Sequence, residues 1–149
     1  MKTIQWAILS IVAAVAAGCT TPAVLEHELN SPPLVDSEYF STQEAKFNIN
    51  FYKGTVQSRY MIALSVRRPL LNGGYLEAQF ENPQDKNQPI IITRSIEPKQ
   101  SLVVLESPII YGRSSYANYE VVVYLYTNAL KTKLLGEHRQ LIRSLMDDI

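Results

Sequence analysis

From Lys46 onward, apolar and polar side chains alternate in short runs separated by glycine, proline and asparagine. Lys46–Lys53 places Phe47, Ile49 and Phe51 on one face before Gly54 interrupts it. Tyr60–Val66 repeats the pattern through Tyr60, Ile62, Leu64 and Val66, and Arg67-Arg68-Pro69 ends it. Asn72-Gly73-Gly74 signals a turn, after which Leu76, Ala78 and Phe80 face inward while Glu77, Gln79 and Glu81 face out. A polar loop over 82–89 precedes two short β-rich runs, Ile90–Thr93 and Ser101–Leu105, and Tyr119–Tyr126 is the longest and most apolar run. A period of two, β-branched content and Pro/Gly punctuation predict six strands and an all-β, antiparallel sandwich.

The last segment fits two templates. Leu134, His138, Leu141, Ile142 and Leu145 have helical spacing. The same stretch also alternates, follows a hairpin-length link over 128–132, and contains Gly136, which weakens a helix by about 1 kcal/mol relative to Ala. A strand is favoured, since it completes a seven-strand sandwich of immunoglobulin-like or fibronectin-like design. No Cys…Trp…Cys signature accompanies that design, so the expectation concerns architecture alone.

The first 44 residues carry no such alternation. A short start with the single charge of Lys2 leads into twelve uncharged residues, Trp6–Ala17, the form of a secretory signal. As a helix this run would rise only about 18 Å, short of a bilayer's hydrocarbon core. Ala16-Ala17-Gly18-Cys19 follows, where small residues precede a thiol. This stretch resembles the lipobox of bacterial lipoproteins, and the resemblance covers residues 1–19 only. It implies cleavage before Cys19 (residues 1–18 being the signal peptide) and acylation of that cysteine, which anchors the chain to a membrane. Ala16 stands where Leu is usual in the family. The competing reading is ordinary cleavage after Ala14-Val15-Ala16, leaving Cys19 as a free thiol. In the same family an Asp after the cysteine often retains the protein at the inner membrane. Thr20 occupies that position here, which implies an outer-membrane location facing the periplasm.

Residues 19–44 read as the lipidated N-terminus and a tether, with Pro22, Pro32 and Pro33 opposing helix formation. About 22 such residues would span roughly 25 Å as a coil and about 70 Å fully extended. Glu26-His27-Glu28 is not a metal trio, because in extended chain His27 points away from its neighbours. The sandwich domain is then expected over 45–149.

Charge and chemistry narrow the function. Lys plus Arg and Asp plus Glu both count 14, and loss of the leader removes only Lys2, leaving 13 against 14, a net −1. That balance does not provide the clustered basic face that nucleic acid needs. The single cysteine allows no internal disulfide, so the domain relies on its core. None of the common nucleophile, phosphate-loop or metalloprotease motifs occurs, and no cofactor is expected. His138 is the one histidine after residue 44 and reads as a surface residue. A hydrolase would need a serine and an acid gathered around it. The expectation is therefore a binding or assembly module of the cell envelope with a protein partner. An accessory lipoprotein of a secretion or envelope machine is the alternative, and a hydrolase a distant one.

Two segments are candidates for partner binding. Tyr111–Tyr119 is rich in the Tyr, Ser, Gly, Asn and Arg that binding loops favour, with Tyr111, Arg113, Tyr116 and Tyr119 as its candidate contacts. The bland alternative is a crossover loop whose tyrosines lid the sandwich. Arg67 and Arg68 could meet an acidic partner or lipid headgroups, or simply discourage edge pairing. Tyr124 and Tyr126 alternate with Val123 and Leu125, so the outer face of that strand is also expected to be covered.

Overall fold

The computed structural model describes residues 31–146; the expected signal segment, Cys19 and the first part of the expected tether, 19–30, lie outside the described residues. Seven strands follow one another: β1 (Phe40–Tyr52), β2 (Thr55–Val66), β3 (Gly74–Phe80), β4 (Ile90–Ile96), β5 (Leu102–Glu106), β6 (Asn118–Tyr126) and β7 (Leu134–Arg143). They form two antiparallel sheets, ordered β1-β2-β5 and β4-β3-β6-β7. Immunoglobulin constant domains pair their fourth and fifth strands on the first sheet. Here β4 joins β3 instead, so the three-plus-four division is the fibronectin-like one.

The core is the interleaving of inward faces that the alternation predicts. Tyr60, Ile62 and Leu64 of β2 and Val103 and Leu105 of β5 meet Leu76, Ala78 and Phe80 of β3 and Val121, Val123 and Leu125 of β6. Tyr60 stacks on Phe80 across the two sheets at 5.2 Å between ring centroids. Its hydroxyl donates to the Glu81 carbonyl at 2.7 Å, so the buried phenol keeps a partner.

The final segment is a strand rather than a helix, but its inward face is unusual. A register irregularity opposite Leu125 and Tyr126 resets the alternation of β7. Gly136, His138, Gln140 and Ile142 then point in, and Glu137, Arg139 and Leu141 point out. Polar side chains can face inward here because another segment covers them. Residues 33–39, expected to be free tether, lie against β7 as a strap. The Gln140 side chain accepts from the Val35 amide and donates to the Pro33 carbonyl, both at 3.0 Å. Ser37 meets His138, and the Tyr39 ring lies so close to Gly136 that a Cβ there would come within 2.8 Å of it.

The strap turns at 37–40 and pairs back on β1 through Asp36 and Ser41. Among the described residues, folded structure therefore extends back at least to Pro33, before the Ala45 boundary that the alternation marks. The prolines do keep this segment extended, yet it is docked. The strap fills the seam between β1 and β7, edge strands of different sheets.

The two ends of the sandwich differ in what they carry. Odd-numbered strands run toward one end, formed by the β1–β2 turn, the loops 81–89 and 107–117, and the chain after Arg143. The other end holds loops 67–73, 97–101 and 127–133 and the strap's turn. The β1–β2 hairpin is the longest element. Its turn, Lys53-Gly54, has φ of 48° and 78°, the two positive values of a type I′ hairpin turn.

Candidate functional site

At the hairpin end, β5 pairs with β2 only as far as Met61 opposite Glu106. The loop after β5 follows β2 further, with the Ile110 amide donating to the Ser58 carbonyl at 2.9 Å. Beyond Ser58 the rungs Asn50–Gln57, Phe51–Val56 and Tyr52–Thr55 project without a neighbour from β5. Phe51 and Tyr52 are consequently 76% and 57% exposed. Alternation had put Phe51 on the core face with Phe47 and Ile49. Its side is the one expected, but the sandwich ends before reaching it.

The loop 107–117 supplies the second half of this end. Tyr111 is 51% and Tyr116 64% exposed. Tyr116 has φ of 60°, a left-handed conformation that costs an ordinary residue about 1–2 kcal/mol. Hydrogen bonds to β7's continuation hold it there: the Tyr116 amide donates to the Ser144 carbonyl at 2.8 Å, and the Ser144 amide to the Ala117 carbonyl at 2.9 Å. Arg143 lies over the Tyr116 ring at 5.9 Å, and Lys53 over Tyr52 at 5.2 Å. Leu145 and Met146 are exposed beside them in the sequence. Among the described residues, the aromatic side chains that are mostly exposed to solvent (Phe51, Tyr52, Tyr111 and Tyr116) all belong to this one end.

Arg113 and Tyr119 do not join that surface. They are 2% and 5% exposed and form its floor. The Arg113 guanidinium lies over Phe47 at 4.9 Å, and Phe47 packs on Tyr60 at 4.6 Å and edge-on to Tyr119 at 5.8 Å. The Tyr119 hydroxyl accepts from the Ser114 amide at 2.7 Å, which fixes the loop from beneath. The two residues therefore position the loop and are closed to a partner in this conformation. Both readings of the loop thus hold in part: two tyrosines face solvent, and Tyr119 with Arg113 lids the sandwich.

Arg67 and Arg68 lie at the opposite end. Arg67 donates to the Ser37 carbonyl at 2.8 Å and stands 3.8 Å from the Asp36 carboxylate. Arg68 pairs with Glu38 and lies over the Tyr39 ring at 5.6 Å. Their charge is directed onto the strap, where such exposed pairs add little stability. They share no site with the tyrosines.

His138 is buried, 1% exposed, contrary to its reading as a surface residue. Its Nε2 is 2.7 Å from Thr42 Oγ1 and its Nδ1 2.9 Å from Ser37 Oγ. Burial pushes its pKa below the ordinary 6.5, and the charge of Asp36 opposes that only partly. Ser37 Oγ is also bonded to the Phe40 backbone, and the Asp36 carboxylate accepts from Ser41. The histidine holds the strap to β1 and β7 through hydroxyls.

The outer face around Tyr124 and Tyr126 is covered only in part by the chain itself, and both rings are half-buried. Lys131, from the β6–β7 loop, lies over Tyr126 at 5.6 Å and pairs with Glu77, which is only 7% exposed. Among the described residues, no group of three or more His, Cys, Asp or Glu is placed to hold a metal ion. Compared with known proteins, the chain matches no family model, no curated relative and no solved structure.

Proposed function

We propose that this chain is a lipid-anchored lipoprotein of the bacterial envelope whose β-sandwich works by binding, with the aromatic hairpin end as its contact surface. The anchor rests on the small residues before Cys19. The contact surface rests on one observation above the others: four exposed aromatic rings gathered on one end, two of them on a hairpin that outruns the sandwich. Large apolar side chains left in water at one place are characteristic of surfaces that meet another body. Tyr116 adds weight, because strain held in place by the surrounding structure is a common property of contact sites. A binding role is favoured over hydrolysis because His138 spends both ring nitrogens on strap-holding hydroxyls.

Two measurements separate the parts of this reading. Cys19→Ala should abolish acyl labelling and leave the precursor uncleaved at this site. A chain that begins at Ala17 and fractionates as soluble contradicts the anchor. Combined Phe51→Ser, Tyr52→Ser and Tyr116→Ser should leave the melting temperature near its original value while abolishing surface contact, read as loss of the protection from hydroxyl radicals that Tyr111 gains in native envelopes. Unchanged contact in that variant removes the aromatic end from the account.

A further inference from the structure

We infer that the aromatic end rests on the surface of the lipid bilayer, so that the sandwich stands with its hairpin tip against the membrane and its arginine end away from it. The inference rests on lipid attachment at Cys19 and names what the contact surface touches.

The path of the strap sets the orientation. From Tyr39 back to Pro33 the chain runs antiparallel to both β1 and β7, and Pro33 and Val35 share Gln140 near the end of β7. Ser31 is two residues before Pro33 and four before Val35, so an extended path carries it about three rungs beyond Gln140, to the level of Arg143 at the aromatic end of the sandwich body. The described chain therefore departs toward its N-terminus in the direction in which the hairpin tip projects. Twelve positions separate Ser31 from Cys19, a reach of at most about 40 Å. The tip, Lys53, lies about seven rungs past Ser31, roughly 24 Å. The chain thus suffices to put the acylated residue and the hairpin tip in one plane. With the arginine end down, the same chain would first have to double back along the ten residues of β7, about 33 Å.

The side chains suit that plane. Tyrosine and phenylalanine favour the bilayer interface, where a ring is half in hydrocarbon and a polar edge stays wet. Lys53 and Arg143 lie over two of these rings, placing cations beside them as at an interfacial anchor. Lys86 and Glu81 pair at 3.1 Å in the neighbouring loop and offset one another. The aromatic rings need no anionic headgroup to enter the interface, so zwitterionic lipid suffices for contact. The opposite end exposes Leu71, Leu102, Leu130 and Leu134 but, among the described residues, no exposed aromatic ring, and Arg67 and Arg68 are committed to Asp36 and Glu38.

The test uses the full chain, expressed with its own leader in a Trp6→Phe background and purified from membranes. Phe51→Trp and Leu130→Trp each place one tryptophan at an exposed position, one per end. The acyl mass on Cys19 is read first; without it the lipoprotein reading fails and this proposal with it. With it, the proteins are reconstituted in phosphatidylcholine vesicles containing a spin-labelled lipid quencher. The expected result is blue-shifted, quenched emission from position 51 and unquenched emission from position 130. Equal emission at both positions, or quenching at 130 alone, overturns the proposal while the anchor stands. So does an unquenched position 51 that is nevertheless protected in native envelopes, which would assign this end to a protein.

Discussion

At the far end of the sandwich, Arg67 and Arg68 turn back onto Asp36, Ser37 and Glu38, so the polar groups are engaged within the chain. At the hairpin end, Lys53 and Arg143 lie over tyrosine rings that face solvent, and Phe51 extends past the last strand able to cover it. Both ends are loops on the same rigid sheets. One engages its arginines within its own chain and exposes only scattered leucines, while the other presents aromatic rings on a stiffened frame. The difference teaches where to look for function: residues satisfied internally explain the fold, and residues held exposed against the hydrophobic effect require another body.

The contrast extends in depth. Tyr60 belongs to the aromatic floor beneath the hairpin end and is fully buried, so Tyr60→Ala should cost about 3–5 kcal/mol in denaturant unfolding. Phe51→Ser, a few rungs along the same hairpin, should change the same midpoint by no more than about 0.5 kcal/mol. A large loss from Phe51 would mean that the tip is packed in solution. Next in size is the strap. Gln140→Ala leaves the Pro33 carbonyl and Val35 amide without their partner, a loss of about 1–3 kcal/mol. Limited proteolysis should then cut before Phe40 while the sheets stay intact; unchanged resistance would show that the strap is held without it.

Tyr116 sharpens the comparison from the other side. Tyr116→Gly relieves the left-handed conformation and should stabilise the fold by about 1 kcal/mol while weakening surface contact. A destabilised Tyr116→Gly protein would show that the ring contributes to packing instead of being held at a cost. The smallest effect is expected from acid. His138 has a folded pKa below its unfolded value near 6.5, so the unfolded chain takes up the proton first. Stability should be level above that pH, fall as pH drops from 6.5 toward the folded pKa, and fall no further from this group below it. His138→Gln should flatten that part of the melting-temperature profile, and an equal slope in the variant would place the acid sensitivity elsewhere.

Much of the fold is legible in the sequence because each strand signals its own inward face. Tyr60, Ile62 and Leu64, or Val121, Val123 and Leu125, are apolar at every second position and are buried as that pattern requires. The seventh strand is legible as a strand, but its orientation is not. The irregularity at its start shifts the alternation, and the polar side chains it turns inward make sense only under a strap recruited from a hundred residues away. The same cause hides His138, which has the composition of a surface position and the environment of a buried one. Phe51 fails differently. Alternation records which side a residue faces but not where the neighbouring strand stops. In the loop 107–117, composition singled out a segment that does present tyrosine to solvent. It could not separate Tyr111 and Tyr116, which face out, from Arg113 and Tyr119, which go under, because that choice depends on Phe47 and the end of β7.

The domain is proposed to meet its surroundings through the aromatic end and not the arginine end. Hydroxyl-radical footprinting of the unmodified protein, compared between native membranes and detergent, tests it most directly, since tyrosine, phenylalanine and leucine all report. Phe51, Tyr52, Tyr111 and Tyr116 should lose oxidation in membranes, while Leu71 and Leu130 are oxidised equally in both. Protection of Leu71 and Leu130 with the four aromatic residues unchanged would contradict the account.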